Sequence, residues 1–134
     1  MPYMEWNDGL SVAREDLDAD HKHLVELLNR LHKATTQRMS GTVIDSILAF
    51  LIDHTKMHFA YEESLMKSLS CPLLGEHRNE HKALLEQISY LDAKLRTGQA
   101  ALGPDTMGFL KIWLADHIVD MDKQLGDWLN SHPG

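Results

Sequence analysis

The sequence predicts an all-α protein, an antiparallel up-down-up-down four-helix bundle with an N-terminal arm. Two observations predict it. Apolar residues recur with a helical period of about 3.6 through four long stretches. Gly, Pro and Ser punctuate the links between them, and links that short make successive helices antiparallel neighbours. No strand-like alternation, fine repeat or low-complexity run competes with this reading.

Residues 1–16 are mixed in character and form the arm, anchored by Trp6 and Val12 and covering one end of the domain. The first helix spans about 17–38, with Leu17, His21, Leu24, Leu28 and Leu31 on one face. Ser40-Gly41 breaks it. Thr42, with Asp45 three residues later, reads as a capping box that opens a second helix over 42–68. Its inner face carries Ile44, Ile47 or Leu48, Leu51, His58, Glu62 and Leu65. Pro72 forces that helix to stop, because proline lacks the amide donor and restricts the residue before it. The third helix covers 74–97 with His77, His81, Leu84, Ile88, Leu91 and Leu95 inward, and Gly98 is placed for a left-handed cap. Gly103-Pro104-Asp105 starts the fourth, over 105–129, whose stripe is Leu110, Leu114, His117, Leu125 and Leu129. Pro133-Gly134 closes the chain.

A length of 134 residues with 43% hydrophobic content suits one domain spanning 1–134 with a sizeable core. The net charge of −7 argues against nucleic acid, which requires a basic face, and suits uptake of cations. No apolar run approaches the roughly 20 residues of a membrane span, and no signal-peptide pattern opens the chain. Cys71 is the single cysteine, so no internal disulfide forms and a cytoplasmic home is expected. Nine histidines are many for this length.

Their spacing carries the chemistry. His58 and Glu62 are four residues apart, as are His77 and His81, so each pair shares a helix face. His21, His117 and Asp122 complete a candidate set. Counted from the second-to-third link, all seven fall within a slab of roughly 15 Å at 1.5 Å per residue. Burying five imidazoles and two carboxylates unpartnered would cost several kcal/mol per ion, beyond a domain's stability margin. A bound metal removes that penalty and uses these ligand types, although iron, manganese, cobalt and zinc all fit the donors. His117 and Asp122 are five residues apart, about 140° round a regular helix. Asp122 therefore joins the cluster only through a π-type bulge, the regular-helix alternative being Asp120.

The segments Asp-Ala-Asp-His-Lys-His-Leu (18–24), His-Phe-Ala-Tyr-Glu-Glu-Ser-Leu-Met (58–66), His-Arg-Asn-Glu-His (77–81) and Trp-Leu-Ala-Asp-His-Ile-Val-Asp-Met-Asp (113–122) together resemble the hemerythrin family. The long gap between His21 and His58 is more similar to the bacterial branch than to the invertebrate carriers. Cys71-Pro72 departs from the pattern, where an aromatic residue is expected before the proline. The resemblance implies two Fe ions in a non-haem, oxo- or hydroxo-bridged site. His77, His81 and His117 would hold one iron, His21 and His58 the other, and Glu62 and Asp122 would bridge them; it also favours Asp122 over Asp120. One coordination position is left for dioxygen, and the richness in neutral imidazole biases the site towards holding O2 and away from splitting it. Leu114, Trp113 and Ile118 are expected as apolar walls of the oxygen pocket. The implied function is non-enzymatic oxygen storage, delivery or scavenging, with a protein recipient conceivable. The alternatives are a redox enzyme acting on nitric oxide or peroxide, and an oxygen sensor.

The remaining histidines have plainer expectations. His23 points to solvent, His32 lies about 16 Å along the helix from His21, and His132 belongs to the tail. His54, one turn before His58, is the most plausible false ligand. Glu63 is expected to be exposed, and Cys71 to be a small loop residue.

Overall fold

The computed structural model describes residues 3–97 and 103–132. The expected caps at Gly98 and Pro133-Gly134 lie outside that range. Helix α1 runs Glu15–Thr36, α2 Gly41–Ser68, α3 Leu74–Arg96, α4 Pro104–Asp116 and α5 Lys123–Ser131. A π-helical turn, His117–Asp122, joins α4 to α5, so these two form one continuous fourth helix. There is no strand among the described residues. The architecture is the four-helix bundle with an N-terminal arm, and none of these helices is long and apolar enough to cross a membrane.

The helix ends show the local chemistry at work. Ser40, not Thr42, caps α2: its Oγ accepts the Val43 N–H at 3.3 Å. Pro104 occupies the first turn of α4, where its missing donor costs nothing. α1 and α2 both end through a left-handed residue that is not glycine, Arg38 at φ 53° and Ser70 at φ 53°. The Cys71 N–H then returns to the Met66 carbonyl at 2.9 Å, so α2 is closed before Pro72 takes the chain onward.

The arm does not simply cover one end. It lies along the seam between α1 and the fourth helix. Asn29 clamps it by accepting the Met4 N–H at 2.8 Å and donating to the Met4 carbonyl at 2.9 Å. Lys111 donates to the Tyr3 carbonyl at 3.1 Å, and Tyr3 stacks on His32 with ring centroids 3.9 Å apart. Met4, Leu10 and Val12 are the buried anchors, whereas Trp6 is only half-buried. At Gly126 the contact is so close that an added Cβ would lie 2.1 Å from the Val12 carbonyl oxygen.

Inside, α1 packs on α2, α2 on α3, and α1 on α4. Trp113 of α4 donates its indole N–H to the Leu84 carbonyl of α3 at 3.3 Å. The half of the bundle nearest the α1–α2 link is closed by Leu28, Leu31, Leu48, Ile88 and Leu110, all buried. Each such side chain contributes about 1.5–3 kcal/mol by leaving water. At the opposite end Leu17, Met66, Cys71, Leu125 and Leu129 form a second apolar plug. Cys71 is a loop residue, as expected, and its burial makes it part of the seal. Between these layers lies a polar one.

Candidate metal centre

That middle layer draws a side chain from every helix of the bundle. His21 comes from α1, His58 and Glu62 from α2, His77 and His81 from α3, and His117 and Asp122 from the π-turn. The two i, i+4 pairs meet because residues one turn apart stack on one face. Asp122 arrives by a different route. In the π-turn the Lys123 N–H reaches back five residues to the Ile118 carbonyl, and the wider turn rotates Asp122 inward beside His117. Asp122 is fully buried, while Asp120 is exposed.

The geometry is tight. Glu62 directs Oε2 at His58 Nε2 (3.2 Å) and Oε1 at His81 Nε2 (3.0 Å) and His117 Nε2 (3.7 Å). Asp122 directs Oδ2 at His21 Nε2 (2.6 Å), His117 Nε2 (2.8 Å) and His58 Nε2 (3.4 Å), and Oδ1 at His77 Nε2 (3.5 Å). The Nε2 atoms of His21 and His58 face each other at 3.0 Å. Potential donor atoms of His21, His58, Glu62, His117 and Asp122 all lie within 4.8 Å of one another. His77 and His81 adjoin that group through Asp122 and Glu62.

Proximity has not produced hydrogen-bond satisfaction. Eight buried side-chain atoms here have no partner of proper geometry: His21 Nδ1, both Glu62 oxygens, His77 Nε2, His81 Nε2, both His117 nitrogens and Asp122 Oδ1. Each such atom costs about 1–3 kcal/mol. The pKa shifts reveal the same crowding. Burial opposes charge on His58, yet the adjoining carboxylates of Asp122, Asp20 and Glu62 raise its pKa well above that of free imidazole. Burial likewise opposes charge on His81, and Glu62 and Glu63 override it and raise its pKa. Burial pushes Asp122 up, but the His117 charge and the close approach of His117, His21 and His58 carry it well below the carboxylate range. Imidazole nitrogens and carboxylate oxygens converging with unused lone pairs are the donor set of a borderline-to-hard divalent cation.

A family model described as the hemerythrin HHE cation binding domain matches residues 12–129. This chain belongs to the hemerythrin family. A bacteriohemerythrin of Ralstonia nicotianae is 32% identical, the match covering 96% of this chain and 90% of that one. A myohemerythrin of Riftia pachyptila is 29% identical, with 90% and 88% covered. The crystal structure of a wild-type hemerythrin superposes with a TM-score of 0.84 at 30% identity, covering 93% of this chain and 96% of that one.

Other expectations met a different outcome. His23 does not simply face solvent: it is half-buried against His54, ring centroids 4.0 Å apart. His132 stacks on Trp128 at 4.4 Å. Leu114, Trp113 and Ile118 are all buried beside His117. A cleft of about 320 Å³ between α3 and α4, lined in part by Leu84, Ile112 and Trp113, reaches His117. Asp20 was missed by sequence reasoning, and Glu63, expected to be exposed, is half-buried against His81. Asp20 accepts or shares the Nδ1 proton of His58 at 3.0 Å, and Glu63 that of His81 at 2.9 Å. Their only signal was adjacency: each neighbours an inward-facing residue, His21 or Glu62, and so sits at a helix–helix seam.

Proposed function

We propose that this hemerythrin domain binds dioxygen reversibly at a pair of non-haem irons, storing, delivering or scavenging it without turnover. The observation that carries the proposal is the set of eight unsatisfied buried atoms, which fall on six of the seven candidate ligands. The fit to iron is good: six of the orphaned atoms, both Glu62 oxygens, Asp122 Oδ1 and the Nε2 atoms of His77, His81 and His117, face into the layer, and cations there would satisfy them. His77, His81 and His117 would hold one ion and His21 and His58 the other. Glu62 and Asp122 would bridge, which accords with each already turning its two oxygens to different histidines. When bound, a ferrous pair would supply the electrons and the coordination capacity that dioxygen binding requires.

The chain's own residues do the rest. Five neutral imidazoles against two carboxylates leave the site less anionic than the four-carboxylate di-iron enzymes, which favours binding over oxidation chemistry. Leu114, Trp113 and Ile118, all buried, would form the apolar walls around His117. The α3–α4 cleft, lined in part by Trp113 and His117, would offer a small gas a path to the layer. The lone, buried Cys71 suits a reducing cytoplasm.

The test is a visible spectrum of iron-loaded, reduced protein taken as air is admitted and then withdrawn. An absorption band that appears with air and vanishes on degassing is expected. His77→Ala and His58→Ala should each abolish it while circular dichroism retains most of the helix signal. No reversible band, or rapid consumption of dioxygen with a reductant, would contradict the reading.

A further inference from the structure

We propose that Asp20 and Glu63 are a matched pair of positioning residues, one backing a histidine of each iron; the inference rests on the di-iron reading above. His58 is pinned from both sides. Its Nδ1 meets Asp20 Oδ2 at 3.0 Å, and its Nε2 faces Glu62 Oε2 at 3.2 Å. His81 repeats the arrangement, with Nδ1 on Glu63 Oε2 at 2.9 Å and Nε2 facing Glu62 Oε1 at 3.0 Å. By contrast, His21 Nδ1 and His117 Nδ1 are buried with no hydrogen-bond partner. Two of the five rings are thus anion-backed, and under the proposed division they belong to different irons.

The helices explain how this is built. A residue next to an inward-facing one lies about 100° round the helix, at the seam with its neighbour. Asp20, beside His21 on α1, therefore reaches across to a ring on α2. Glu63, beside Glu62 on α2, reaches across to a ring on α3. Arg78 holds the second oxygen of Glu63, its Nε 3.5 Å from Oε1. Each carboxylate does two things. By taking the Nδ1 proton it fixes the tautomer whose Nε2 lone pair points into the layer, and its charge strengthens that nitrogen as a donor. Both carboxylates are partly exposed, 43% for Asp20 and 28% for Glu63, so neither is a core residue whose loss would collapse the fold.

The experiment uses the full chain. In the metal-free protein, imidazole NMR should show slowly exchanging Nδ1 protons on His58 and His81. Asp20→Ala should remove only the first and Glu63→Ala only the second. Ferrous iron affinity is then measured by chelator competition. Each alanine variant should lose about 10- to 100-fold. Asp20→Asn and Glu63→Gln, which keep an acceptor oxygen but not the charge, should recover part of that loss. Asp45→Asn, removing an exposed charge near the start of α2 and 13 residues before His58, should bind as the parent does. Alanine variants within twofold of the parent, or Nδ1 signals that survive them, would overturn the inference while leaving the di-iron reading intact. A parent protein that takes up no iron would overturn both.

Discussion

In one half of the bundle Leu28, Leu31, Leu48, Ile88 and Leu110 meet with no polar atom to satisfy. Roughly two helical turns further along, the same helices present His21, His58, His81 and His117, with eight buried atoms unsatisfied across the layer. The helices and their inward faces are the same; only the side chains differ. One half is complete as folded, and the other keeps unsatisfied atoms that the proposed metal pair would complete. The leucine half can hold the ligand half in register before any metal arrives, which is what a preformed site needs.

This comparison can be broken or sharpened by mutation. Leu31→Ala should cost about 2–5 kcal/mol in urea unfolding, and by the same amount in metal-free and iron-loaded protein. A loss confined to one form would show that the halves are not independent. A smaller effect is expected where the arm closes the ligand half. Gly126→Ala places a methyl 2.1 Å from the Val12 carbonyl, so backbone must shift, at about 1–3 kcal/mol and with faster proteolysis of the arm. Unchanged stability there would mean that the arm is not part of the seal.

The smallest effect concerns the outside of the ligand half. Asp16 accepts from Arg14 at 3.0 Å and from the Tyr61 hydroxyl, tying the start of α1 to α2. The Arg14 hydrogen bond leads in holding its carboxyl well below the ordinary range. A depressed carboxyl stabilises the fold above its unfolded pKa of about 4, and the contribution is lost as pH falls from there through the folded value. Asp16→Asn should therefore be less stable than the parent at pH 7, and the gap should shrink as the medium is acidified below about pH 4. Because the side chain is about a third exposed, solvent screening keeps the gap small. A gap that widens in acid would refute the assignment.

Much of this was legible in the residues. The leucine stripes have a helical period, and His58 with Glu62 and His77 with His81 sit one turn apart, so their convergence follows from helix geometry. The five-residue step from His117 to Asp122 called for a π-bulge, and one is present. What escaped was lateral. Asp20, Glu63, His23 and His54 lie off the inward stripes, and their partners are set by how neighbouring helices are rotated, which a one-helix periodicity does not contain. The same holds for the arm. Its course along α1 depends on Asn29, a polar residue with no place in an apolar pattern.

The most direct test of the contrast between halves is an anaerobic titration of metal-free protein with ferrous iron, followed by thermal melting. The melting temperature should climb on the order of 10 °C and stop climbing near about two irons per chain. A melting temperature indifferent to iron would mean that the polar layer is complete without it, and the account would fail.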